Sequence, residues 1–268
     1  MDHLHRDLAP LSDSAWEVLG QEAKSRLSAH LAARRVVDFA GPHGWTHSAT
    51  DLGRIGSIPG PAEGVAARQR RVLPLVELRT DFRVSRTEIE DVDRGATDPD
   101  LAELDEAAML IAVAENTSVF HGYEAAGIQG ITESTAHPPI ELGSDWDQYP
   151  TAVARATDVV RRAGIDGPYA LVISPEIFTG IVETAEHGGH LLFDHLRQIL
   201  GGPLVWAPGV DGGIVLSLRG GDFLFDCGED LSVGYLDHDS GTVRLYIEEC
   251  FSFRVVEPDA AVALATAT

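Results

Sequence analysis

The sequence predicts an α+β fold in which a second compact region is inserted between sequence-distant halves of the first. Three observations carry this. The last quarter of the chain, Arg219 to Pro258, reads as strands divided by glycine-rich turns. Far upstream, Val76, Leu78, Thr80, Phe82 and Val84 alternate with Glu77, Arg79, Asp81 and Arg83, the pattern of a half-buried strand. Between them, from His137 to Asp222, short apolar runs alternate with helical ones. At 268 residues the chain can bury one large core or two smaller ones.

The elements follow in order. Residues 1–11 form an extended arm ending near Pro10. Ser12 is placed to cap a helix running to about Arg34. Its apolar stripe is Trp16, Leu19, Ala23, Leu27 and Leu31, with Glu17, Gln21, Lys24 and Ser28 opposite. Gly41, Pro42 and Gly44 break the chain before Trp45. Residues 51–71, rich in Gly, Pro and Arg, predict a projecting two-stranded loop, which a compact monomer would not favour. Ser85-Arg86-Thr87-Glu88 is a capping box for a short helix ending near Gly95. Asp98-Pro99 starts a long helix to about Gly122, burying Leu101, Leu104, Ala108, Ile111 and Val119.

After the break at His137 to Pro139, Pro150 opens a helix to Arg162, ended by Gly164. Tyr169 to Ile173 is a buried strand, and Ser174-Pro175 caps the helix after it. Another helix spans Leu191 to Leu200, then strands span Leu204 to Ala207 and Gly213 to Leu218. Phe223 to Cys227 and the GEDLSVGY stretch are strands. A DHDSG hairpin turn leads into a long strand, Val243 to Val256. There Leu245, Ile247, Phe251, Phe253 and Val255 share a core face interrupted by Glu249. Arg244, Tyr246, Glu248, Cys250, Ser252 and Arg254 face water or a neighbouring subunit.

Composition excludes several functions. A net charge of −22 argues against nucleic acid as a partner, since phosphate contacts need clustered Lys and Arg. No apolar run approaches the ~20 residues of a membrane span, and the N-terminus lacks a signal peptide, so a cytoplasmic location is expected. Cys227 and Cys250 are packed thiols or a pair, which sequence does not decide. No nucleophile elbow, P-loop or H-E-x-x-H is present, so no enzyme and no catalytic residue is expected. The densest polar cluster, Glu183 to His190, could ligate a metal, but Gly188-Gly189 would leave its ligands unfixed, and no metal site is assigned. Asp237, His238 and Asp239 read as solvated turn residues.

Several stretches carry a family resemblance. RGGDF, DLSVGY and VRLYIE near the C-terminus, LHRDLAPLSDSAW, AARRVVD and GPHGW near the N-terminus, and LPLVELRTDFRVSRTEIEDVDRG and GIDGPYALVIS between them resemble the encapsulins. These are bacterial shell proteins with the Hong Kong 97-type phage major capsid fold. The resemblance spans the chain in the family's order. It implies an N-terminal arm and inner-surface helix over 1–44 and an extension loop over 45–75. It further implies a peripheral domain over 76–136 and 223–268, with an axial domain over 137–222 inserted in it. The first helix is then either an ordinary core helix or an inner-surface helix of a shell.

The resemblance also implies a function. The chain would assemble with itself into an icosahedral cage and enclose a cargo protein with a C-terminal targeting peptide, a dye-decolourising peroxidase or a ferritin-like protein. The shell itself would need no cofactor, and haem or iron would belong to the cargo. Cargo would dock against Leu27, Leu31, Arg34 and Asp38, facing Asp230, Leu231, Val233 and Tyr235, although both leucines could equally be plain core. Glu183, Glu186, His187, Gly188, Gly189 and His190 would form a pore loop. The competing reading is a prophage major capsid protein that packages DNA. Two features favour the cargo shell: the arm begins at residue 1, and the loop has no lysine for a crosslink.

Overall fold

The computed structural model describes residues 3–143, 145–184 and 191–266. Helix α1 (Asp13–His30) is followed by β1 (Asp38–Ala40), β2 (Ala49–Ile58), β3 (Ala67–Pro74) and β4 (Val76–Ser85). Then come α2 (Arg86–Asp93), α3 (Ala102–Phe120), α4 (Ile131–Ser134), β5 (Ile140–Leu142) and α5 (Tyr149–Arg162). Strand β6 (Tyr169–Ile173), α6 (Pro175–Glu183), α7 (Leu192–Leu200), β7 (Leu204–Trp206) and β8 (Gly213–Ser217) follow. The chain closes with β9 (Phe223–Cys227), β10 (Ser232–His238), β11 (Thr242–Val255) and β12 (Ala261–Thr266).

Strand β11 is the spine of the first sheet. Antiparallel β4 lies along one edge, pairing Ser85 with Thr242 through Val76 with Phe251. The other edge is shared by β10, opposite residues 243–248, and then β9, opposite residues 251–255. Parallel β1 pairs with β9. Helix α3 packs across β4 and β11, and α1 packs on α3, enclosing Leu19, Leu27, Phe82, Leu104, Ile111, Leu245 and Ile247. The second sheet has the order β5-β12-β8-β6-β7, with α5 and α7 against it. Its core merges with Phe225, Phe251 and Phe253 of the first sheet.

Among the described residues, strands β2 and β3 pair only with each other, so the expected two-stranded loop joins neither sheet. Ile55, Ile58, Val65 and Val72 stay exposed there.

Several expectations need correction. Helix α1 stops at His30, because Asn116 captures the next turn: its Oδ1 accepts from Ala32 N at 2.9 Å and Ala33 N at 3.1 Å, and its Nδ2 donates to His30 O. Ala33–Arg35 is a separate 3-10 turn. The capping box is half made. Ser85 Oγ accepts from Thr87 N at 3.2 Å, but Glu88 accepts instead from Asp100 N at 2.9 Å. That tether keeps residues 99–101 out of helix, so α3 starts at Ala102 rather than at Pro99.

The second face of β11 is buried, not free for water or a neighbour: Tyr246, Glu248, Cys250 and Ser252 are all enclosed. The Arg79 guanidinium lies 3.5 Å from the Tyr246 ring centroid, and His3 of the arm, stacked on Trp45, approaches Glu248 to 3.7 Å. The last strand is also new. Residues 261–266 leave the first sheet and enter the second between β5 and β8, so 223–268 is divided between the two sheets. Both cysteines are free and buried.

Candidate functional site

A groove of about 420 Å³ lies between α1 and the β10 side of the first sheet. Four residues of helix advance slightly more than one turn, so Gly20, Lys24 and Ser28 fall in a stripe along its margin, and Leu31, just past the end of α1, lines it too. Ala23 and Leu27, one position round the helix, are buried in its floor with Val233 and Ile247. This revises the expected facing of α1. Lys24 and Ser28 border the groove rather than standing opposite it. A Cβ at Gly20 would meet nothing within 4 Å, so that position adds open space.

The arm closes one end. Tyr235 N donates to Leu4 O at 2.9 Å, and Arg6 Nε donates to Val233 O at 2.8 Å. The Arg6 guanidinium also lies 5.2 Å from the Trp16 ring.

Six of the eight expected docking residues meet here: Leu27, Leu31, Arg34, Asp230, Leu231 and Val233. Leu27 is core, while Leu31 and Leu231 are only half-buried and offer apolar surface to the groove. Asp38 and Tyr235 stand elsewhere. Asp38, on the far edge strand β1, accepts through Oδ2 from Gly221 N at 2.8 Å, and Tyr235 is buried with its hydroxyl 2.6 Å from His238 Nδ1. Of the expected pore-loop residues, Glu183 is the exposed last residue of α6; Glu186, His187, Gly188, Gly189 and His190 lie outside the described residues.

Arg34 does not continue the stripe of α1. From the 3-10 turn it reaches three carboxylates: Nε to Glu115 Oε2 at 2.6 Å, Nη1 to Asp230 Oδ1 at 2.5 Å and Nη2 to Glu249 Oε2 at 2.8 Å. Burial opposes its charge, but Glu115, Glu249 and Asp230 together outweigh burial and hold the guanidinium protonated. Burial and the Glu115 charge push the Glu249 carboxyl well above the ordinary range. Burial raises Glu115 too, against the pull of Arg34. The cluster explains why Glu249 interrupts an apolar face: it anchors the turn that ends α1 onto β11. Glu115 and Asn116 were missed by the sequence reading. Their signal was available, since both fall in the buried register of α3 beside Ala112 and Val119.

The arrangement suits an extended peptide with small aliphatic anchors. Leu31, Leu231 and Val233 supply apolar contact, Arg6 and Lys24 supply positive charge, and Asp230 supplies negative charge at the rim.

Comparison with known proteins gives consistent relatives. A family model, Linocin_M18, described as an encapsulating protein for peroxidase, matches residues 1–252. A type 1 encapsulin shell protein of Rhodospirillum rubrum is 46% identical over 270 residues, covering 98% of this chain and 96% of that one. A virus-like particle protein from Pyrococcus furiosus superposes with a TM-score of 0.63 at 18% identity, over 92% of this chain and 97% of that one. The capsid of Myoviridae phage XM1 gives a TM-score of 0.55 at 10% identity, over 89% and 92%. The last two show the fold alone, that of the phage capsids.

Proposed function

Because the chain belongs to the encapsulin shell family, we propose that it is the subunit of a capsid-like cage that encloses a cargo protein. The β2–β3 hairpin carries the assembly part of this reading. It pairs with neither sheet and leaves Ile55, Ile58, Val65 and Val72 exposed, so a neighbouring subunit is their natural cover. Such contacts belong to the permanent class, roughly 2,000 Å² or more per interface.

The groove beside α1 is the proposed cargo dock, taking a short peptide whose Leu or Ile side chains rest on Leu31, Leu231 and Val233. A basic peptide residue would meet Asp230, and an acidic group or chain terminus would meet Lys24 or Arg6. Arg34, committed to three carboxylates, shapes the groove's end rather than binding the peptide's charge. A peroxidase is the cargo that the family description suggests, with any haem or iron held there. The shell is read as non-enzymatic and cytoplasmic, and among the described residues no helix is long and apolar enough to cross a membrane. A pore-lining role for Glu183 to His190 rests on the family resemblance. DNA packaging is not favoured, given the net charge of −22.

The test is direct. Expressed alone, the chain should purify as closed hollow particles under the electron microscope. Expressed with a reporter fused to the C-terminal tail of a candidate cargo peroxidase, it should purify filled. Monomers or small open oligomers would overturn the reading.

A further inference from the structure

We propose that His43, His47 and Asp226 form a binding site for one divalent transition-metal ion per chain. Nothing in the cage or cargo reading requires this site. His43 Nε2 lies 2.9 Å from Asp226 Oδ1, and His47 Nε2 lies 3.2 Å from Asp226 Oδ2. The three ligand atoms all lie within 4.8 Å of one another, with the two imidazole centroids 4.7 Å apart. In a tetrahedral shell with bonds near 2.1 Å, ligand atoms stand ~3.4 Å apart. A small spreading of these side chains therefore admits an ion.

The backbone places the ligands independently of any interaction between them. Strand β1 runs parallel to β9 with Ala40 opposite Asp226. The pairing then continues through the turn: His43 N donates to Cys227 O at 3.0 Å and Gly44 N to Gly228 O at 2.7 Å. This close approach depends on Gly41, whose φ is +117°. A Cβ there would lie 2.4 Å from the Cys227 carbonyl oxygen. His47 N returns to Gly44 O at 3.0 Å, turning its ring back toward the same carboxylate. Asp226 is fixed in turn, since Thr50 Oγ1 donates to its Oδ2 and lies 2.5 Å from Ser252 Oγ of β11. Ligating carboxylates are commonly oriented by such outer partners.

The chemistry selects the ion class. Two imidazole nitrogens and one carboxylate suit zinc and its first-row neighbours rather than calcium or magnesium, which prefer oxygen. Three protein ligands leave a position for water, and the 45% exposure of the His43 side chain gives an approach. Both Nε2 atoms now face the carboxylate as hydrogen-bond partners. Ligation through Nε2 uses that atom's lone pair, the tautomer with the proton on Nδ1. A bound ion would clip the segment leading into β2 onto β9, at the root of the hairpin. The sequence shows His43 and His47 four apart, but their carboxylate partner stands 179 residues beyond His47.

The experiment uses assembled particles, stripped with a chelator and titrated with Zn²⁺ by calorimetry and with Co²⁺ by visible absorption. The wild type should bind one more ion per chain than His43→Ala/His47→Ala, and only the wild type should give the intense visible bands of tetrahedral Co²⁺. Particle formation by the variant, checked by electron microscopy, keeps the comparison fair, and Asp226→Asn supplies a second variant that retains the carboxylate's shape. Equal stoichiometry in wild type and both variants, or no ion bound by the wild type, would overturn the proposal.

Discussion

Arg34 Nη2 lies 2.8 Å from Glu249 Oε2, joining the turn after α1 to the middle of β11 across 215 positions of sequence. The same guanidinium binds Glu115 of α3, so one side chain ties the turn at the groove's end to both α3 and β11. Replacing Arg34 with Ala strands two fully buried carboxyls. Breaking such a cluster costs roughly 3–5 kcal/mol. Arg34→Ala particles should melt well below wild type or fail to form. Arg34→Lys should recover only part of the loss, because one ammonium cannot reproduce the fork. Thermal melting of purified particles checks both.

The pH dependence follows from the Glu249 shift. Its folded-state pKa is raised by burial and by Glu115, so the folded chain holds that proton more tightly than the unfolded chain. This contribution is fully present below the ordinary glutamate range and is lost as pH rises through the raised value. Glu249→Gln keeps the shape without the ionisation. The difference in melting temperature between Glu249→Gln and wild type should therefore move in the variant's favour as pH is raised from 5 to 9. A difference constant with pH would contradict the assignment.

Much of this was legible in sequence. The strand 76–84, the helix opened by Pro150 and the strand 169–173 each carry their own period and caps, and local signals suffice for them. The boundaries that moved were set by distant partners. Asn116 ends α1, and Glu88 delays α3 by holding Asp100. Likewise β12 has an apolar sequence short enough to belong anywhere, and only pairing with β8 assigns it to the second sheet. For the groove, the leucines of α1 and the 231–233 pair were readable as apolar positions. Tyr235 shares Val233's face but is packed into the core beyond the groove, Asp38 lies on β1 at the far edge of the sheet, and Arg34 is taken by Glu115, all of which depend on tertiary packing.

The hairpin should be needed for closure. Deleting residues 53–70 removes Ile55, Ile58 and Val65, the exposed apolar residues near its tip. The variant should give small oligomers or aggregates. Closed particles of wild-type size from this deletion, seen by electron microscopy, would contradict the assembly reading.

The cage should also hold together without isopeptide crosslinks. Lys24 is the chain's single lysine, and it lies on α1 beside the groove rather than on the hairpin. Boiling in detergent with reductant should release one band at 28.7 kDa. A ladder of multiples would show the contrary.

Cargo capture by the groove beside α1 is tested most directly at Leu31. Its side chain is half-buried at the groove margin, whereas Leu27 is core. Leu31→Asp places a charge where a peptide's aliphatic anchor would rest, while leaving the floor packed. Co-expressed with tagged cargo, the variant should yield closed particles whose mass, by sedimentation, equals that of empty shells, against filled particles from the wild type. Closed particles of Leu31→Asp carrying the full wild-type load would contradict the account.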